Sequence, residues 1–218
     1  MRKPLANCVR HALILAWICP VILPAQEAQL IALPKPQTTG GMPLMQALNE
    51  RKSTREFGAE KLPQQVLANL LWAAFGVNRP DGRRTAPSAS NRQEIEIYAV
   101  MADGVFLYDA QAHALRQVAK EDLRAATGGQ DWVARAPLNL VYVADYAKMG
   151  NQSEDNKRAN SNVDTGYISQ NVYLYCASEG LGTVARGGVN RDEIQKALKL
   201  RPEQRVVLAQ TVGYPLKK

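Results

Sequence analysis

Histidine and cysteine are nearly absent from this chain, with two of the first and three of the second in 218 residues. Most of those few fall at the very start. His11, Cys8 and Cys19 all lie within residues 1–25, which read as an export signal peptide. Arg2, Lys3 and Arg10 make a positive start, followed by an apolar run from Ala12 to Leu23. That run is short for a membrane span, which needs ~20 apolar residues, but long enough for a secretory signal. A cut after Ala25 places Leu23 and Ala25 at the two positions facing the peptidase, where small residues are preferred; an uncleaved N-terminal anchor is the alternative. Cleavage predicts a periplasmic protein and retention a membrane-anchored one. No paired arginines mark export in the folded state, and bulky Trp17 and Ile18 make Cys19 a poor lipid-attachment site.

Without residues 1–25, Cys176 is the sole thiol and His113 the sole imidazole. An intrachain disulfide is then impossible, whatever the compartment. Multi-histidine and cysteine-rich zinc sites are excluded for the same reason. A hydrolytic triad would have to use His113, which reads as a surface residue in the turn Asp109–Ala114 with no chemical neighbours; a catalytic base needs an orienting partner. The formal charge falls from +7 to +4 with the loss of three basic residues. That is mild for the ~190 residues remaining, a length suited to one domain. Aromatic residues are few and not interleaved with the basic ones, as a single-strand stacking surface would require.

What is present reads as an extended lead-in over 26–41 and a domain over 42–218. Pro43 suits the first turn of a helix, and Leu44, Met45 and Leu48 recur at helical steps as one buried stripe. Pro63 opens a second helix whose apolar face holds Val66, Leu67, Leu70, Leu71 and Ala74, with Gly76 as its stop. Asn78–Asn91 is a polar loop, long enough to suggest function. Ile95–Met101, Val105–Tyr108 and Leu115–Val118 read as strands, as does Leu138–Ala144. Asp145–Asn162 reads as a loop or short helix, and Val163–Gly180 as a long helix with Ile168, Val172, Tyr175 and Cys176 on one face. Asn190 caps a short helix, and Arg205–Val212 is a last strand. Strands and helices without regular alternation favour α+β over a doubly wound sheet.

Three segments are not explained by burial. Arg51-Lys52-Ser53-Thr54-Arg55 gathers three cations and two hydroxyls, a donor set that fits phosphate, although charge runs also commonly just face water. Ala86–Asn91 combines small residues, which let a flat ligand approach the backbone, with Ser and Asn, which read a heteroaromatic edge; an ordinary turn has the same composition. Gly180–Gly188 carries four glycines, and exposed N–H groups beside Gly187 and Gly188 can face a ligand acceptor. The last lacks the strand-to-helix setting and the Gly-x-Gly-x-x-Gly spacing of a dinucleotide fingerprint.

In this order the segments resemble the nitroreductase family of FMN-dependent oxidoreductases, nearest its shorter SagB-like members. The resemblance spans Met42–Pro215 and rests on RKSTREF (51–57), LLWAAFGVNR (70–79), APSASNRQ (86–93), SQNVYLYCASEGLGTV (169–184) and the terminal VGYP. It implies an α+β sandwich, a mostly antiparallel sheet flanked by helices, in an intertwined homodimer with FMN at the subunit interface. By this resemblance Arg51, Lys52, Ser53 and Arg55 contact the flavin phosphate, ribityl chain and pyrimidine edge. Pro87, Ser88, Ala89 and Asn91 reach it from the partner subunit, and Gly187 and Gly188 lie near N5. Lys217 stands in for the phosphate-contacting tail of longer members. Arg186 occupies a place where better-known members carry an acidic residue.

The implied activity is NAD(P)H-driven ping-pong reduction of nitroaromatic, quinone or similar acceptors, with NADH or NADPH as donor and no dedicated catalytic side chain. Two alternatives stay open: a non-catalytic FMN carrier or sensor, and an unliganded interaction domain. An exported protein sits awkwardly with donors that are mostly intracellular, so another donor, an anchor facing the cytoplasm, or a misread start codon is also open. Val163–Gly180 is the candidate dimer core, and its Tyr167, Tyr173 and Tyr175 are equally well read as ordinary packing.

Overall fold

Ile95–Met101 and the unbroken apolar run beginning at Leu138 form adjacent strands near the centre of a seven-stranded sheet in the computed structural model, which describes residues 30–216. In chain order the strands are β1 (Leu30–Ala32), β2 (Ile95–Met101), β3 (Gly104–Asp109), β4 (Ala114–Ala119), β5 (Leu138–Asp145), β6 (Gly182–Arg186) and β7 (Gln204–Gly213). Across the sheet they run β1-β4-β3-β2-β5-β7-β6, and every pairing is antiparallel. The helices are α1 (Leu44–Glu50), α2 (Gln64–Phe75), α3 (Asp131–Arg135), α4 (Glu154–Ser178) and α5 (Arg191–Ala197).

All of β5 is buried because both faces of the sheet are covered. On one face Ile97, Leu140 and Tyr142 pack with Leu70 and Leu71 of α2 and Ile168 and Val172 of α4. On the other, Tyr98, Val100, Val141 and Val143 meet Ile194 of α5 and Leu198 just beyond it. Each such side chain contributes roughly 1.5–3 kcal/mol on full burial. The α+β layering implied by the sequence is the one observed.

Four readings change. The helix α4 begins at Glu154, nine residues before the expected Val163. Ser153 caps it, its Oγ accepting the Asn156 N–H, and Glu154 and Asp155 sit at the positive end of the helix dipole. The polar composition of 154–162, read as a loop or short helix, is that of a helix with little to bury. Residues 182–186, to which the sequence assigns no element, form an edge strand paired with β7. The lead-in contains β1, which pairs with β4. Lastly, Leu44, Met45 and Leu48 are not a buried stripe: they are 63%, 76% and 44% exposed, and Ala47 is the residue α1 buries.

Candidate functional site

The segment after α1 is fastened to the edge strand β6. Thr54 N–H donates to the Thr183 carbonyl at 2.9 Å. A Cβ at Gly182 would stand 2.8 Å from Thr54 Cγ2, so the two backbones approach this closely only with glycine there. Tyr173 of α4 completes the joint. Its hydroxyl accepts the Ala185 N–H at 2.9 Å, leaving its proton free for Ser53 Oγ at 3.0 Å. The Arg51 guanidinium lies 5.3 Å from the centre of the same ring, a cation–π distance. Tyr173 therefore joins the candidate site through its hydroxyl, which helical spacing alone concealed.

Arg51, Lys52, Thr54, Tyr173, Thr183 and Pro215 line a cleft of about 400 Å³. None of the ion pairs among the described residues uses Arg51, Lys52 or Arg55. Glu50, at the wall of the same cleft, accepts a hydrogen bond from Gln46. Lys52, Ser53 and Arg55 are exposed. Gly187 and Gly188 follow the end of β6, are exposed, and have no atom within 4 Å of where a Cβ would stand.

Arg186, just before those glycines, points the other way. It is buried beneath Trp132 and donates to Asn139 Oδ1 at 3.1 Å and to the Thr127 carbonyl. Burial lowers its pKa to about 10. Its role is to anchor the end of β6 against β5, beneath the surface that the glycines present.

The loop of Pro87, Ser88, Ala89 and Asn91 is held at a different place. Its Ala89 N–H donates to Asp164 Oδ2 at 2.9 Å. Ser88 Oγ accepts the Gln93 N–H at 2.9 Å, and Gln93 Nε2 donates to Asn91 Oδ1 at 3.0 Å. Ser90, Asn91 and Gln93 all have positive φ, at 55°, 53° and 50°. Asp164 precedes Tyr173 by nine residues of α4, a rise of ~13.5 Å. One chain thus brings two of the three segments together and carries the third along the same helix.

His113 is not the isolated surface residue expected. It is half-buried at φ 46°, within 3.0 Å of both the Tyr108 hydroxyl and the Pro34 carbonyl, and burial lowers its pKa. These contacts tie the lead-in to the β3–β4 turn, away from the cleft. Lys217 and the proposed export signal at 1–25 lie outside the described residues.

Residues 48–214 match the family model described as "Nitroreductase family". A protein designated a nitroreductase in Methanocaldococcus jannaschii is 32% identical over 168 residues, covering 72% of this chain and 85% of its own length. A solved structure from Ralstonia eutropha JMP134, also described as a nitroreductase, is 43% identical. It superposes with a TM-score of 0.83 over 87% of this chain and 90% of that one. The FMN reductase [NAD(P)H] of Bacillus subtilis is 25% identical over 186 residues, 79% of this chain and 66% of its own length.

Proposed function

From the premise that this chain belongs to the nitroreductase family and is a flavin-dependent oxidoreductase, we propose that it binds FMN between two copies of itself and passes electrons from NADH or NADPH to a small acceptor. The observation that carries this reading is the joint at Tyr173. It fixes the 51–55 segment, whose cations enter no ion pair among the described residues, to the same edge strand that leads into the exposed Gly187 and Gly188.

The donor set fits FMN. Arg51, Lys52 and Arg55 offer fork and point charges suited to a phosphate and to the electron-rich edge of the ring. Ser53 offers a hydroxyl whose direction Tyr173 fixes. Over Gly187 and Gly188 a flat ring can approach the backbone without meeting a side chain. When bound, FMN supplies the redox chemistry itself. The protein's part is to hold the ring, neutralise negative charge on its pyrimidine edge through Arg51 and Lys52, and keep one cleft open to donor and acceptor in turn. No side chain has to carry a proton.

The homodimer belongs to the same proposal. Pro87, Ser88, Ala89 and Asn91 stand about two and a half helical turns along α4 from Tyr173, so a second copy is the economical source of that segment for each site. The exposed Leu44, Met45 and Leu48, with Val163 and Tyr167 at 53% and 48%, supply an apolar surface for the association. Nitroaromatics and quinones are the acceptors proposed, being flat and two-electron reducible. Export to the periplasm with cleavage after Ala25 is also proposed, and the mass of the mature protein tests it.

The deciding experiment is an anaerobic visible spectrum of the FMN-incubated, desalted protein before and after NADH or NADPH. A retained flavin band that bleaches supports both cofactor and donor. A retained band that persists removes the nicotinamide step, and no retained band removes the FMN assignment.

A further inference from the structure

Glu94, the residue before β2, is fully buried, yet neither oxygen of its carboxyl has a hydrogen-bond partner among the described residues. A second carboxyl, that of Asp164 on α4, itself 3% exposed, lies close enough to act on it. Two neighbouring buried carboxyl groups disfavour double ionisation. One proton between them turns an acceptor into a donor and satisfies both groups. Burial, reinforced by Asp164, raises the Glu94 pKa to about 7, against the opposing pull of its own backbone N–H and of Arg92 on the same loop.

Arg92, the cation that acts on Glu94, gives its guanidinium to the Ala89 carbonyl at 3.1 Å. On β5, Asp145 is held by Arg201 at 2.7 Å, and on β2, Glu96 is held by Lys148 at 3.1 Å. The Thr165 hydroxyl, next to Asp164, is also buried without a partner. None of the ion pairs among the described residues involves Glu94 or Asp164.

Asp164 has a second task. Its Oδ2 receives the Ala89 N–H and so pins the loop whose Ser90, Asn91 and Gln93 are held in the left-handed region. Such backbone persists only when its surroundings over-determine it. We propose that Glu94 and Asp164 share one proton and together act as the positioning pair of the Ser88–Asn91 loop. Loss of the proton sets two negative charges against each other, releases Ala89, and weakens the hold of that loop on the flavin in the partner's site. The loop's contact with flavin rests on the reading proposed above.

The test is the FMN dissociation constant of the full protein as a function of pH, by fluorescence quenching, for wild type and Glu94→Gln. Glutamine keeps the shape and donates permanently to Asp164. The wild-type constant is expected to rise about tenfold relative to that of the variant between pH 6 and pH 8.5, one pK unit of coupling being a factor of ten. Ionisation of the FMN phosphate is common to both proteins and cancels in the ratio. Parallel pH profiles overturn the proposal. So does the lack, in wild type at pH 6, of an infrared carbonyl band of a protonated carboxyl that vanishes on raising the pH. The infrared measurement needs no variant and decides the matter if Glu94→Gln does not fold. Failure of both proteins to bind FMN at any pH is a separate result. It overturns the cofactor assignment and the loop's role with it, while the infrared band still reports whether the proton is shared.

Discussion

The Tyr173 hydroxyl stands 3.0 Å from Ser53 Oγ across 120 residues of sequence, and that contact joins the basic segment after α1 to the glycine-rich end of β6. Replacing Tyr173 by Phe keeps the ring under Arg51 and removes only the bridge. Flavin affinity is expected to fall about tenfold, the loss of one to two hydrogen bonds worth ~1 kcal/mol each. Far-ultraviolet circular dichroism should be unchanged. An FMN titration with wild-type affinity would show that the bridge does not matter to the site.

Arg51 lies over that ring with no carboxylate partner among the described residues. Arg51→Ala should lower the flavin-to-protein ratio that survives gel filtration, with the larger deficit at high salt, because the remaining cations are exposed and screened. Full occupancy in this variant would count against placing Arg51 on the cofactor.

Gly182 permits the close approach of Thr54 to β6. Gly182→Ala should push the 51–55 segment away and cost ~1–3 kcal/mol, the usual range for overpacking. Flavin binding should suffer more than that stability loss alone explains. Urea unfolding set beside an FMN titration separates the two effects.

The pH dependence of stability follows from Glu94. Its folded pKa, about 7, lies above the ordinary 4.5, so the folded state keeps a proton that the unfolded state has given up. The associated stability is complete below about 4.5 and is lost as the pH rises to about 7. Wild type should therefore melt progressively below Glu94→Gln across that window, and differ from it by a constant amount at higher pH. Melting curves that stay parallel from pH 4.5 to 8 would exclude the buried acid as the cause.

Leu44 and Met45 of α1 project from the chain with nothing to cover them among the described residues. The paired change Leu44→Glu with Met45→Glu should leave the fold intact and yield a monomer by light scattering. It should also empty the flavin site, if the loop Ser88–Asn91 is supplied by a second copy. A dimer that survives would move the interface elsewhere.

The sequence by itself determined the strands and helices that bury a face. Ile95–Met101, Leu138–Asp145 and Gln64–Phe75 carry their periodicity on the surface of the sequence, because the same residues that recur are those that leave water. It also marked the three segments carrying unexplained cations, small residues and glycines, since burial could not account for them. What it left open was which of these meet. Tyr173 looked like packing because helical spacing says which side a residue faces and nothing about the hydroxyl that waits there. The first nine residues of α4 read as a loop or short helix, not as part of the long one, because a mostly solvated helix has no apolar stripe to display, and the stripe of Leu44, Met45 and Leu48 looked buried because periodicity does not reveal what covers it. The contacts Tyr173–Ser53, Gly182–Thr54 and Glu94–Asp164 each join residues far apart in the chain. Only the sheet's antiparallel order and the path of α4 across it bring such pairs together, and no local pattern records that.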